Sequence, residues 1–322
     1  MRAARHLALA LAWACSLLAA TLVLLYVEPE AQASTSWVVM IASFIPYGIV
    51  LWALAVVLFL VGGRRWTKLL AFPALVALVV QVGWARPYWP GTPAADVSGD
   101  RVRVLATNVY FGLADPDSVA GVLADVDPDV IVVAEATEPF LASAAMTRAL
   151  SGYQHRVGRA AEWQRIPSGT VVLSRLPLTE VSRIPSQFGQ YVVEVDAGAT
   201  PLTLVAAHPL NMITGAQIWE REGRILADAV RPLTAGPLVV AGDFNATPEH
   251  LTLRRLLDEG LVLAAQDAGA GWQPTFTNGL SDVPIIPIDH ILTNDRVRTL
   301  SYRTLPVVGS DHWAVVADLV YR

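Results

Sequence analysis

Three stretches of this chain carry no charged side chain: Leu7–Val27, Trp37–Val61 and Leu69–Ala85. They are about 21, 25 and 17 residues long, and a helix needs roughly 20 apolar residues to cross the hydrocarbon of a bilayer. Buried in hydrocarbon, such a run must satisfy its own backbone hydrogen bonds, which a helix does. A secretory signal peptide would account for the first run but not for two more. The third is the shortest and contains Pro73, Gln81 and Gly83, so its crossing decides on which side the rest of the chain emerges.

Orientation follows from the short connections, because Lys and Arg gather on the cytoplasmic side. Arg2 and Arg5 precede the first run, and Arg64, Arg65 and Lys68 lie between the second and third. The connection Glu28–Ser36 has neither Lys nor Arg. Both basic ends belong inside, which puts the chain after the third run outside, although Arg86 pulls the other way. Cys15 is the only cysteine, so no disulfide can form within the chain. Trp13 stands where a lipid-modified cysteine would want a small residue.

The sequence therefore divides into a membrane anchor over 1–86, a linker over 87–99 and a globular domain over 100–322. Pro87, Pro90 and Pro93 in the linker forbid a continuing helix, and Tyr88 and Trp89 suit the headgroup region. The part after residue 86 holds 17 Arg and no Lys against 26 Asp plus Glu. A domain that grips nucleic acid presents a basic face, so the balance argues against nucleic acid as partner.

Valine-rich runs predict strands at Arg101–Val109, Asp129–Ala136, Thr170–Leu173, Tyr191–Val195, Leu202–Ala207, Leu238–Ala241, Ile288–Leu292 and Ala314–Val320. Helices are predicted at Asp117–Asp125, Thr214–Val230 and Pro248–Glu259. Strands outnumber helices, which suits two stacked sheets with helices outside, an α+β arrangement.

Polar residues cluster at the ends of these strands. In Val239-Val-Ala-Gly-Asp243-Phe-Asn245, a glycine allows close approach and two polar groups stand two apart, a spacing that shares a face on extended backbone. Asp243 and Asn245 are candidates for one phosphate or metal, though Asn245 could instead cap the helix near Thr247 or Pro248. His312 follows Asp311 directly before the last strand. An imidazole base needs a carboxylate to hold its tautomer, and since neighbours on a strand point apart, Asp289 is the better partner and Asp311 is left for metal or phosphate. Asn108 and Glu135 end two further strands, and Glu135 is a hard oxygen ligand of the kind Mg²⁺ prefers. His208 ends another and is either a phosphoryl contact or a satisfied core residue. Asn211 behind it is a phosphate candidate.

In order, Asn108, Glu135, Ser174-Arg175, His208, Asp243-Phe-Asn245, Asp289-His290 and Ser310-Asp311-His312 resemble the signature of the endonuclease/exonuclease/phosphatase superfamily. That group includes pancreatic deoxyribonuclease, abasic-site endonucleases, neutral sphingomyelinases and inositol-polyphosphate 5-phosphatases. The resemblance implies a four-layer αββα sandwich over about 100–322, preceded here by three transmembrane helices. It implies Mg²⁺, or Mn²⁺ in its place, with Glu135, Asn108 and Asp311 as metal residues, and His312, Asp289, His208, Asp243 and Asn245 as catalytic residues. Asn108, Asn211 and Arg175 would bind substrate. Tyr110 departs from the nucleases, which often carry a polar ligand there.

The three spans and the His208-Pro pair are also similar to membrane proteins of the teicoplanin-resistance VanJ type. That likeness implies a multi-pass cell-membrane phosphoesterase linked to antibiotic resistance. It would cleave a phosphomonoester, phosphodiester or pyrophosphate of a phosphorylated lipid, such as a polyprenyl carrier, at the extracytoplasmic face. An extracellular nuclease and a non-catalytic sensor on the same fold are the alternatives.

Overall fold

The computed structural model describes residues 2–92, 98–163, 167–277 and 281–322; residues 93–97 of the expected linker lie outside the described residues. The chain forms two compact units, Met1–Pro87 with Glu249–Leu251, and Tyr88–Pro248 with Thr252–Arg322.

In the first unit, helices α1 (Arg2–Val27), α2 (Ser36–Ala42), α3 (Gly48–Gly62) and α4 (Ala71–Trp84) follow the apolar runs. With the 3₁₀ turns that lead into α3 and α4, three spans are long and apolar enough to cross a membrane: Arg2–Val27, Ile45–Gly62 and Thr67–Trp84. The expected single run Trp37–Val61 is corrected, since it breaks between α2 and α3. Pro46 has no N–H to donate and disfavours helical backbone at Ile45. Pro73 is tolerated because it stands in the first turn of α4, where its missing N–H would have no partner inside the helix. Gln81 is buried within the helices and donates to the Ile45 carbonyl at 2.6 Å. Ala12 and Ala19 of α1 pack with Trp52, Ala55 and Phe59 of α3 and with Ala71 and Ala74 of α4; such small residues let helices approach closely in lipid. Leu17, Val61, Phe72 and Val79 point outward, more than half exposed, as lipid-facing side chains do.

The second unit is the expected αββα sandwich. Its strands are β1 (Asp100–Asn108), β2 (Val130–Ala134), β3 (His155–Arg159), β4 (Thr170–Ser174), β5 (Leu178–Arg183), β6 (Tyr191–Val195), β7 (Leu202–Ala207), β8 (Leu238–Asp243), β9 (Val262–Leu263), β10 (Asp289–Thr293), β11 (Val297–Leu305) and β12 (Ala314–Tyr321). One sheet has the order β11-β12-β1-β2-β4-β3 and the other β5-β6-β7-β8-β10-β9. Val104, Val132 and Val315 of the first sheet meet Val193, Leu204 and Val239 of the second in the central core. The opposite face of the first sheet, with Leu105, Ile131 and Val171, is covered by α5 (Pro116–Val126), α6 (Glu138–Leu141) and α7 (Ala144–Ala149). Helices α8 (Ala216–Val230), α9 (Leu251–Asp258) and α10 (Ala264–Asp267) complete this part of the chain. The expected helix Pro248–Glu259 starts only at Leu251, and Thr214–Val230 is interrupted at Gly215.

The four strands absent from the sequence reading, β3, β5, β9 and β11, are the four sheet edges. An edge strand is covered on one side at most, so its apolar run is broken, and β5 is almost wholly exposed.

Strand direction builds the site. β1 runs parallel to β2, and β7 to β8, so Asn108, Glu135, His208 and Asp243 leave at C-terminal strand ends. β10 is antiparallel to β8 and sets Asp289 directly opposite Asp243. β12 is antiparallel to β1, with Val315 paired to Ala106, which brings His312 to the same end.

Candidate active site

Asn108 links the two sheets. Its Nδ2 donates to Glu135 Oε1 at 3.1 Å and to Asp243 Oδ2 at 2.9 Å, while its Oδ1 accepts the Tyr110 N–H at 2.8 Å. The amide thus turns its NH₂, not its oxygen, toward the carboxylates. Ligation of a metal through its oxygen, as expected of Asn108, would require the amide to rotate.

Glu135 Oε2 accepts the Phe111 N–H at 2.6 Å. Both residues hold left-handed backbone, with φ of 55° each: Glu135 just after β2, and Phe111 in a turn with Tyr110 at 47° and Gly112 at 70°. Such conformations cost about 1–3 kcal/mol each for residues with a side chain and persist only where surroundings enforce them. Gly112 has no alternative here, since a Cβ would lie 2.1 Å from Thr137 Oγ1. Burial pushes the Glu135 carboxyl up to about 7, against the hydrogen bond from Asn108 and with the Asp243 charge adding to the rise.

His312 is buried, with Nδ1 2.8 Å from Asp289 Oδ2 and Nε2 3.8 Å from both Asp243 Oδ2 and Asp311 Oδ1. Burial by itself would lower its pKa, but Asp289, Asp243 and Asp311 outweigh it and hold the ring up at about 10. His312 is therefore an imidazolium among carboxylates. Asp289, rather than Asp311, is thus the hydrogen-bond partner of the ring; residues 310–313 precede the strand, so strand alternation does not govern them. Burial also raises Asp243 and Asp311 above the usual carboxylate range.

His208 is fully buried at the end of β7, its Nδ1 3.4 Å from Thr170 Oγ1 and its ring tilted against Phe188. Burial lowers it to about 4, so it is neutral, and among the described residues its Nε2 has no partner. The close β7–β8 approach depends on Gly242, where a Cβ would meet the Ala207 carbonyl at 2.0 Å.

Three expected residues stand differently. Asn245 does not share a face with Asp243, because its backbone turns left-handed at φ 48°. Asp243 Oδ1 accepts its N–H at 2.8 Å and its Nδ2 donates to the Pro209 carbonyl at 3.1 Å. Asn211 caps the 3₁₀ turn Met212–Thr214, its Oδ1 accepting the Ile213 N–H. Arg175 lies at the far end of the sheet, because β4 runs antiparallel to β2 and pairs Ser174 with Val130. There it forms an ion pair with Asp127 at 2.5 Å and stacks over Tyr153, so it is not brought to the site.

Ser310, part of the motif before the last strand, and two residues with no local signal, Gln190 and Thr275, support the site. Ser310 Oγ donates to the Asn108 carbonyl at 2.8 Å and accepts the His312 N–H at 3.1 Å, tying two ends of the site together. Gln190 Oε1 accepts the His208 N–H. Thr275 Oγ1 accepts from the N–H groups of both Ile288 and Asp289 at 3.1 Å. Thr275→Val keeps the shape but strands both buried donors, so unfolding measurements should show a loss of about 2–4 kcal/mol.

Asp243, Asp289 and His312 each offer a ligand atom within 4.8 Å of the others, a cluster able to hold a divalent metal. Its surroundings fit a hard cation: Glu135 is half-buried against its charge, and Asp289 Oδ1 and Asp311 Oδ1 are buried without hydrogen-bond partners among the described residues.

The Endonuclease/Exonuclease/phosphatase family matches residues 105–312. A search of curated proteins finds no match. Among solved structures, an endonuclease/exonuclease/phosphatase from Beutenbergia cavernae is similar at 22% identity and TM-score 0.54, over 69% of this chain and 72% of that one. Truncated TDP2 of Caenorhabditis elegans matches at 19% identity and TM-score 0.55, over 70% of this chain and all of that one. A mannosyl-6-phosphatase of Bacteroides thetaiotaomicron matches at 15% and 0.52, over 68% and 100%. At these identities the likeness is one of fold.

Proposed function

This chain belongs to the endonuclease/exonuclease/phosphatase family, and we propose that residues 100–322 form a Mg²⁺- or Mn²⁺-dependent phosphoesterase acting on a lipid-linked phosphate, with residues 1–86 as its membrane anchor. The observation that carries this reading is the meeting of Asn108, Glu135, Asp243 and the His312–Asp289 pair at one end of the two sheets.

Glu135 is the principal metal residue in this reading, with Asp311 nearby. Asp289 holds His312 through Nδ1, which leaves Asp243 and the His312 Nε2 to face the phosphate. The bound ion would neutralise charge on the phosphoryl oxygens. Asp243, made more basic by burial, takes a proton from the attacking water. The water oxygen bonds to phosphorus, the bond to the leaving oxygen breaks, and that oxygen departs with a proton from solvent. The imidazolium of His312 and the neutral Nε2 of His208 donate to non-bridging oxygens, stabilisation that needs no rearrangement at the moment of reaction.

The three spans and the absence of Lys from residues 87–322 support a lipid over a nucleic acid. The placement of Lys and Arg in the short connections supports an extracytoplasmic domain, which a reporter fused after Arg322 would test. The likeness to the VanJ type rests on the spans and on His208-Pro209. The deciding experiment presents the purified protein with Mg²⁺ to polyprenyl pyrophosphate, phospholipids, sphingomyelin and plasmid DNA, with Glu135→Ala as blank. Phosphate or headgroup release from a lipid, absent in the blank, is expected. Cleavage of DNA alone, or of nothing, overturns the reading.

A further inference from the structure

The apolar side chains left in solvent on the second unit are unevenly distributed. Trp163, Ile213, Val283 and Val308 are 69%, 78%, 67% and 64% exposed, and Tyr110 and Leu113 also stand out. Tyr110 and Leu113 follow the C-terminal end of β1, and Ile213 follows β7. Trp163 lies between β3 and β4, whose Thr170 pairs with Ala134 beside Glu135. Val283 precedes Asp289, and Val308 joins β11 to β12 just ahead of His312. Among the described residues, six of the ten large exposed apolar side chains of this unit, and its four most exposed, thus lie on connections that open at the catalytic end; Trp89, Val181, Val262 and Trp272 stand elsewhere. At the other end, residues 127–129, 175–177, 196–201 and 294–296 carry none among the described residues, and Val262, paired with Thr293, is 41% exposed.

A tryptophan and branched aliphatics at loop tips, with exposed Arg159 and Arg183 ending β3 and β5 beside them, have the composition of a surface that sits at a lipid headgroup boundary. Lipid is also the neighbour this domain cannot avoid. Only Ala85, Arg86 and Pro87 separate the last apolar helix from Tyr88, and three residues reach about 10 Å at most. Tyr88 is fixed on the domain by its ring contact with Trp272 at 4.7 Å, and the Gly91 N–H donates to the Gly269 carbonyl at 3.0 Å. Tyr88 and Gly91 of the expected linker are thus held against the domain.

We propose that these loops form a membrane-contact surface: the catalytic end of the domain seats on the bilayer interface, so that a phosphorylated lipid enters the site from the plane of the membrane. This rests on the reading of the site as a lipid phosphoesterase for its purpose, but the contact can be measured without any turnover.

The full-length protein in nanodiscs of phosphatidylcholine and phosphatidylglycerol provides the test. With Cys15→Ser as background, Ile213→Cys and Val308→Cys are each labelled with an environment-sensitive fluorophore. Ala199→Cys, exposed in the loop at the opposite end of the domain, serves as the control. Lipids bearing a nitroxide high on the acyl chain should quench the labels at 213 and 308 at least about twofold more than the label at 199. Equal quenching at all three positions overturns the proposal, as does shielding at 213 and 308 that depends on protein concentration but not on nitroxide, which would indicate a second copy. Ile213→Ser with Val308→Ser should lower kcat/KM on vesicle-borne lipid phosphate about tenfold and leave hydrolysis of a short-chain, water-soluble phosphoester unchanged. Equal losses on both substrates overturn it. Selective quenching without hydrolysis of any substrate would sink the proposed function and leave the contact surface standing.

Discussion

His312→Ala should lower kcat by about a thousandfold with little change in KM, the scale set by removing a preorganised donor from the transition state. The same substitution should cost about 3–5 kcal/mol of stability, because it takes the cation out of a buried pair and leaves a carboxylate behind. The geometry makes that cost specific. Asp289 and Asp243 are directly opposed residues of β10 and β8, and the His312 ring is the group between them, 2.8 Å from one and 3.8 Å from the other. Once the imidazolium is gone, two buried carboxylates face each other. His312→Asn separates the two effects, since its amide NH₂ can reach the place of Nδ1 and donate to Asp289. The hydrogen bond but not the charge is restored, so part of the stability should return in thermal unfolding while kcat stays low. Wild-type turnover in both variants would rule out the role assigned to His312.

Glu135→Gln should reverse its effect on stability when metal is added. In the metal-free protein the folded-state pKa of Glu135, about 7, lies above its ordinary value of 4.5. The carboxyl therefore binds more protons folded than unfolded, and its contribution to stability falls as pH rises from about 4.5 to about 7. Above that window the uncharged glutamine should be the more stable form, by on the order of 2–3 kcal/mol at most. With the ion at a hundred times its Kd, the wild type gains about 2.7 kcal/mol, a gain the variant should largely miss. Activity should fall by a factor of about 100 or more. Calorimetric Tm values at pH 8, with EDTA and with Mg²⁺, check the crossing. An equal rise in Tm for both proteins on adding Mg²⁺ would show that Glu135 does not hold the ion.

Much of this architecture was legible from local pattern. The apolar runs became helices, except where Pro46 broke the second, and the eight valine-rich segments became the inner strands. Inner strands are buried on both faces, and continuous apolarity marks them. Edge strands such as β5 and β11 escaped because half or more of their side chains meet water. The polar residues at inner strand ends were visible for the same reason, as interruptions where a buried run stops.

Residue order by itself determined that Asn108, Glu135, His208, Asp243 and Asp289 would stand at strand ends, because burial and its termination are properties of a short window of chain. Only the tertiary structure decided which ends meet. The antiparallel pairing of β4 with β2 sends Arg175 away from the site, while that of β12 with β1 brings His312 in. Strand direction is set by partners far away in sequence, and so are the bonds from the Asn108 amide to Glu135 and Asp243. Neither has a local cause from which it could be read.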